Sequence, residues 1–179
     1  MKNCQYTIFK TKWGWFGLLA SEKNKLMHTY LPVLCKDTVK TAILSHEPHA
    51  QCANRNFSVL QQKIKNYYNG LIVDFNPVQL YLAELSSFTI KVLTALQGVD
   101  YGTTITYSEL ARLSGHAKAA RAIGSVMAKN PLPLIIPCHR VIKADGSIGQ
   151  FSGPGSTHTK KQMIDLEQSK CVTLYKGRY

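Results

Sequence analysis

The chain has 179 residues, 45% of them apolar, and a formal charge of +12 from 22 Lys and Arg against 10 Asp and Glu. That length holds one domain or two small ones, and the apolar content excludes wholesale disorder. No apolar run approaches about 20 residues, so no membrane-spanning helix is expected; the basic excess favours a polyanion, through phosphate contacts and counterion release.

Residues 1–5 lack an apolar core and a cleavage pattern, so no secretory signal is expected. Residues 4–31 then read as short strands, with β-formers at Tyr6, Ile8 and Trp15 to Leu19 and a turn at Ser21-Glu22-Lys23-Asn24. Asp37 is expected to cap a short helix carrying Val39, Ile43 and Leu44. Residues 46–56 are polar, contain Pro48 and read as loop. Phe57, Leu60, Ile64, Tyr67 and Tyr68 recur at helical spacing up to Gly70, a C-cap candidate. Residues 71–75 read as a short strand before Asn76-Pro77.

The character changes near residues 80–86. A mixed α/β domain is expected over 1–82, with a small sheet and flanking helices, and a mostly helical domain over 83–179. Ser86 or Ser87 caps a helix carrying Phe88, Val92, Leu93 and Leu96, stopped by Gly98. Thr106-x-x-Glu109 fits a capping box opening a helix over 107–113. Ser114-Gly115-His116 turns the chain into a second helix over about 117–129, ended by Pro131. This is a helix-turn-helix pattern, although an ordinary helical hairpin has the same signature. Lys118, Arg121 and Lys129 give the second helix positive charge without an acid. Its small residues Ala117, Ala119, Ala120, Ala122, Gly124 and Ser125 let a backbone approach a sugar-phosphate wall, while Ile123, Val126 and Met127 face the core.

The pentapeptide Pro137-Cys138-His139-Arg140-Val141 carries the chemistry. It follows the apolar run 134–136, read as a buried strand, after Asn130-Pro131-Leu132-Pro133. A thiolate is a nucleophile once a neighbouring base takes its proton, and His139 is adjacent. An extended segment at Val141-Ile142 and a turn at Asp145-Gly146 follow. Glycines in 149–155 let a ligand approach the main chain, and a helix beginning near Thr159 carries Glu167, which by itself reads as solvated. Five cysteines, at 4, 35, 52, 138 and 171, are odd in number and irregular in spacing. They point to a reducing compartment, cytoplasmic or nucleoid-associated in a bacterium and nuclear in a eukaryote. Cys4, His28, Cys35 and Cys52 lack close paired spacing, so no metal site is expected.

Together, Tyr101-Gly102, Thr106-Tyr107-x-x-Leu110-Ala111, Lys118 through Gly124, Asn130-Pro131, Ile136 through Ile142 and Phe151-Ser152-Gly153 resemble the O6-alkylguanine-DNA alkyltransferase (methylated-DNA-protein cysteine methyltransferase) family over roughly residues 86–168. The resemblance implies a ribonuclease H-like N-terminal domain and a winged helix-turn-helix-like C-terminal domain. It implies direct-reversal repair: a flipped O6-alkylguanine, or O4-methylthymine, gives its alkyl group irreversibly to Cys138. His139 would be the base, oriented by Glu167, or by Asp165 because the preceding loop is slightly longer than the family's. Tyr107 would donate to the departing guanine, the Ser152 main chain would bond O6, and the carbonyls of Cys138 and Val141 would accept from the exocyclic amine. Pro133 would form a pocket wall, Arg121 would replace the flipped base, and Asn130 would tie the helix end to the site. Lys118, Ala120 and Gly124 would meet the DNA. No cofactor is implied, and the partner would be double-stranded DNA bound through its minor groove by a monomer, away from membranes. Phe151 departs from the family's usual tyrosine. The rivals are a lesion-binding relative without transfer activity, which replaces the nucleophile, a helix-turn-helix regulator, and a Cys-His hydrolase.

Overall fold

The structure, a computed structural model, describes residues 3–176, with side chains through residue 169; the side chain of Cys171 lies outside the described residues. Contacts divide the chain into a unit ending at Glu84 and one beginning at Leu85. The architecture is mixed α/β, with a small sheet and helices in the first unit and mostly helix in the second.

In the first unit β1 (Gln5–Thr11), β2 (Gly14–Ala20) and β3 (Leu26–Val33) form an antiparallel meander, and β4 (Gln51–Cys52) adds parallel to β1. The order is β3-β2-β1-β4. Helix α1 (Lys36–His46) buries Val39 and Ile43 in a cluster with Tyr6, Leu19 and Met27. Helix α2 (Ser58–Tyr68) buries Ile64, Tyr67 and Tyr68. It closes at Asn69, with Gly70 next in the left-handed region at φ 82°.

Three expectations change here. Residues 46–56 are not all loop: their main chain pairs with β1 through Ala53 N to Tyr6 O at 2.9 Å, and a 3-10 turn, Asn54–Phe57, leads into α2. Asp37 lies in the first turn of α1 instead of capping it; Cys35 holds that position without a side-chain bond. Residues 71–75 form no strand. The β3 edge is taken by the segment around Leu80, with Leu26 N to Gln79 O and Tyr81 N to Leu26 O both at 2.8 Å, and Leu71 and Ile72 stay more than half exposed.

In the second unit α3 (Ser87–Gln97) is capped by Ser86, whose hydroxyl accepts from Thr89 N. Strand β5 (Ile105–Thr106) opens into α4 (Tyr107–Leu113) through the expected capping box of Thr106 and Glu109. Helix α5 is Ala120–Ala128, shorter than the periodicity implies, because residues 117–118 turn before the helix starts. Ile123, Val126 and Met127 are its buried face, as expected. Strand β6 (Val141–Ile142) pairs in parallel with β5, and α6 spans Ser156–Lys176. Residues 134–136 are not a strand. Leu134 takes a left-handed φ of 77°, and Ile136 N returns to Leu132 O at 2.8 Å. The run is a buried turn, which periodicity cannot tell from a buried strand.

Burial, a second imidazole at 4.6 Å between ring centroids (His46) and, in the opposite sense, Glu84 act on His28, lowering its pKa from 6.5 to about 4. The unfolded chain therefore takes up this proton near pH 6.5, while the folded chain resists until about pH 4. The contribution is intact above that window and is lost as the pH falls through it. An NMR titration should put the His28 midpoint near 4, and His28→Phe should remove that part of the acid sensitivity.

Candidate active site

Asn130 sets the position of the segment that follows α5. Its Nδ2 donates to Ile136 O at 2.9 Å, and its Oδ1 accepts from Leu132 N at 3.0 Å. The chain then passes Pro137 into one 3-10 turn, Cys138–Arg140, before joining β6. All three residues are buried: Cys138 is 3% exposed, His139 0% and Arg140 7%. One short turn thus faces thiol, imidazole and guanidinium into the unit.

Helix α6 meets them with an inward stripe of Lys160, Met163, Ile164 and Glu167, spaced i, i+3, i+4, i+7 and all buried. Glu167 Oε1 lies 2.7 Å from His139 Nε2. Arg140 Nε donates to Oε2 at 2.9 Å and Nη2 to Oε1 at 3.0 Å, a bidentate fork. Gly102 N adds a bond to Oε2 at 2.9 Å. The remaining face of Arg140 donates to Val99 O at 2.5 Å and stacks near the Tyr101 ring. Asp165, on the same helix, is exposed.

Burial alone would raise the Glu167 pKa, but the bonds and charges of His139 and Arg140 override it and hold the carboxyl at about 2. An ionised carboxylate only accepts hydrogen bonds, so Nε2 of His139 carries the proton and Nδ1 is the basic nitrogen. Burial lowers the His139 pKa against the opposing pull of Glu167. Burial raises the Cys138 pKa, and an Asn130 hydrogen bond and the Lys160 charge work in the other direction. Burial thus favours the neutral form of both groups.

Tyr107 opens α4 half-buried, its phenol pushed up by burial and then by Cys138. It lines a cavity of about 320 Å³ with Gly124, Ala128, Gln150, Phe151 and Ser152. Gly149 backs onto the phenol: a Cβ there would sit 2.7 Å from Tyr107 Oη, so a side chain would displace the tyrosine. The cavity is lined mainly by apolar and small groups, as a pocket for a flat heterocycle requires.

The expected residues fall into three places. Cys138, His139 and Glu167 are buried together, His139 bonded to Glu167 and Asn130 holding the segment before Cys138, while Tyr107, Gly124 and Ser152 line the cavity. Arg121, Ala122, Ser125, Ala128 and Lys129 share the exposed face of α5, Ala120 is half-exposed, and Lys118 is exposed in the turn before the helix. Pro133 is half-buried in the loop after α5 and does not line the cavity. The Val141 carbonyl, expected to face a base, already accepts from Lys160 Nζ at 2.5 Å; a carbonyl has a second lone pair for another donor. Two participants were missed: Lys160 and the fork of Arg140. Lys160 carried a sequence signal, since it shares a helical stripe with Met163 and Ile164; the Arg140 fork carried none, because it joins residues 27 positions apart. Among the described residues no cluster of His, Cys, Asp and Glu has metal-binding geometry, and no helix is long and apolar enough to cross a membrane.

Residues 87–169 match the family model described as the DNA-binding domain of 6-O-methylguanine DNA methyltransferase. A methylated-DNA–protein-cysteine methyltransferase of Methanocaldococcus vulcanius is 35% identical over 136 residues, covering 62% of this chain and 81% of that protein. The rat protein of the same name is 53% identical over 72 residues, 40% of this chain; the match spans 34% of the rat protein's length. Among solved structures, Mycobacterium tuberculosis OGT in complex with DNA superposes with a TM-score of 0.75 at 29% identity, over 93% of this chain and 94% of that one.

Removing the Glu167 charge leaves Arg140 buried without its counter-ion. Glu167→Gln should cost about 3–5 kcal/mol in urea unfolding, the usual loss when one partner of a buried pair is removed. In the unsubstituted protein the depressed carboxyl stabilises above its ordinary value of 4.5, and that stability is lost as the pH falls from there through about 2. The variant should lack this acid-sensitive component.

Proposed function

From the membership of this chain in the methylated-DNA–protein-cysteine methyltransferase family, we propose that it repairs alkylated DNA by direct reversal, moving the alkyl group of O6-alkylguanine, and of O4-methylthymine, onto Cys138. The observation that carries this reading is the 2.7 Å contact of His139 with Glu167, one residue from a buried cysteine in a unit that also holds the cavity behind Tyr107. A nucleophile, a base and a group that orients the base are the parts an activated thiol needs.

The DNA-binding and transfer functions belong to residues 83–179. The exposed face of α5 carries Arg121 and Lys129 among small residues and no acid. It offers few groups able to read base edges, which suits docking in the minor groove without sequence preference. Lys118 meets phosphate, Ala120 and Gly124 allow close approach, and Arg121 fills the gap left by the extruded base. The base enters the cavity beside Tyr107, its O6 meeting the Ser152 main chain and its amine the carbonyls of Cys138 and Val141.

His139 Nδ1 takes the Cys138 proton, directly or through a water. The thiolate attacks the alkyl carbon; the S–C bond forms as the C–O6 bond breaks, and its electrons leave with guanine. Tyr107 supplies the proton that neutralises the departing base. The step is a displacement with no net oxidation, and the substrate is its own alkyl donor, so no cofactor enters. The thioether is not reversed by thiol exchange, so each monomer acts once. A reducing compartment containing DNA suits the four unbridged cysteines Cys4, Cys35, Cys52 and Cys138.

With excess methylated DNA, intact and peptide mass spectrometry should find one methyl group per chain, on Cys138. Multiple turnover, or label on Cys4, Cys35, Cys52 or Cys171, would sink the proposal. Arg121→Ala should slow repair of duplex DNA at least about tenfold, because extruding a base costs a few kcal/mol, while reaction with free O6-benzylguanine stays near normal. An equal loss in both reactions would assign Arg121 to the fold or the thiol instead.

A further inference from the structure

In the first unit two lysines are drawn to one aromatic ring. Lys10 on β1 lies directly across from Trp15 on β2, and its Nζ sits 6.0 Å from the Trp15 ring centroid. Lys36, the first residue of α1, brings its Nζ to 5.3 Å from the same ring. Trp15 is half-buried and packs against the cluster that includes Val39 and Ile43, so the core fixes the ring. Both lysines are exposed. Among the described residues no ion pair joins either ammonium to a carboxylate.

This placement runs against the charges around it. The start of a helix favours anions, and Lys36 puts a cation there, offset in that turn only by Asp37. Lys40 follows one turn later, and like charges at i and i+4 repel. Lys10 adds a further cation from the sheet. The wider unit does not redress the balance, since residues 1–84 hold ten Lys and Arg against five Asp and Glu. The negative face of the indole holds the two ammonium groups in place. Exposed cations gathered against repulsion, and fixed before anything binds, suit a polyanion. We propose that the first unit carries a DNA contact of its own, in which Lys10 and Lys36, held on Trp15, neutralise phosphates of the duplex backbone. Lysine is a compact point charge, and a phosphate contact carries no sequence information. The patch therefore adds affinity through counterion release to the contact made by α5. The inference rests on the DNA-binding reading above and is independent of the chemistry at Cys138.

The test is binding of the full chain to an undamaged duplex, followed by fluorescence anisotropy over a series of salt concentrations. In Lys10→Gln/Lys36→Gln the slope of log K against log salt should be shallower by about two, one for each lost phosphate contact. Binding should weaken alike on unrelated sequences. Lys10→Arg/Lys36→Arg keeps both charges and should keep the slope. Lys23→Gln/Lys25→Gln removes the same charge from the turn between β2 and β3 and should leave the slope unchanged. Reaction of every variant with free O6-benzylguanine should match that of the unsubstituted protein. An unchanged slope in Lys10→Gln/Lys36→Gln overturns the proposal, because no phosphate then sits at Trp15. An equal change on replacing Lys23 and Lys25 also overturns it, because the effect is then one of net charge. A protein that binds DNA with the unchanged slope loses this contact and keeps the repair function; one that binds no DNA loses both.

Discussion

The site depends on one carboxylate that is shared. Glu167 accepts from His139, twice from Arg140 and once from Gly102. A buried carboxylate would ordinarily take a proton; here a guanidinium and an imidazole keep it ionised. The arrangement has two consequences. It fixes which ring nitrogen of His139 is protonated, and it ties α6, the Cys138–Arg140 turn and the loop at Gly102 to one point. Buried ion pairs contribute little net stability compared with apolar packing, but breaking one is costly. The cluster therefore specifies geometry more than it adds stability, which is what a nucleophile needing a fixed partner requires.

Around that point the second unit separates dry chemistry from wet recognition. Cys138 and His139 are buried, and burial favours the neutral form of each. The face of α5 is exposed, acid-free and made mostly of small residues between Arg121 and Lys129. The net charge of +12 adds a long-range attraction that needs no specific contact. Such a surface suits a ligand recognised by shape and charge, and it leaves discrimination to the cavity behind Tyr107.

The local elements were the legible part. The cap at Ser86, the capping box of Thr106 and Glu109, and the buried face of Ile123, Val126 and Met127 follow from rules that act within four residues. The misreadings came from non-local pairing. Residues 71–75 have strand composition, but the edge they could join is used by the segment at Leu80. Residues 134–136 are apolar because they are buried, and burial alone does not choose between a strand and the left-handed turn that Leu134 makes.

By itself, the sequence determined which groups were available: a thiol beside an imidazole, a basic helix free of acids, and glycines where a ligand must come close. It also identified the family, since Pro137 to Ile142 and Lys118 to Gly124 are contiguous strings. Only the tertiary structure decided between Glu167 and Asp165 as the residue against His139, and only it brought Lys160 under the Val141 carbonyl. The physical reason is the helix. Residues two turns apart on one face of α6 share an environment, and whether that environment is water or a buried thiol is set by what packs against the face, not by the residues on it.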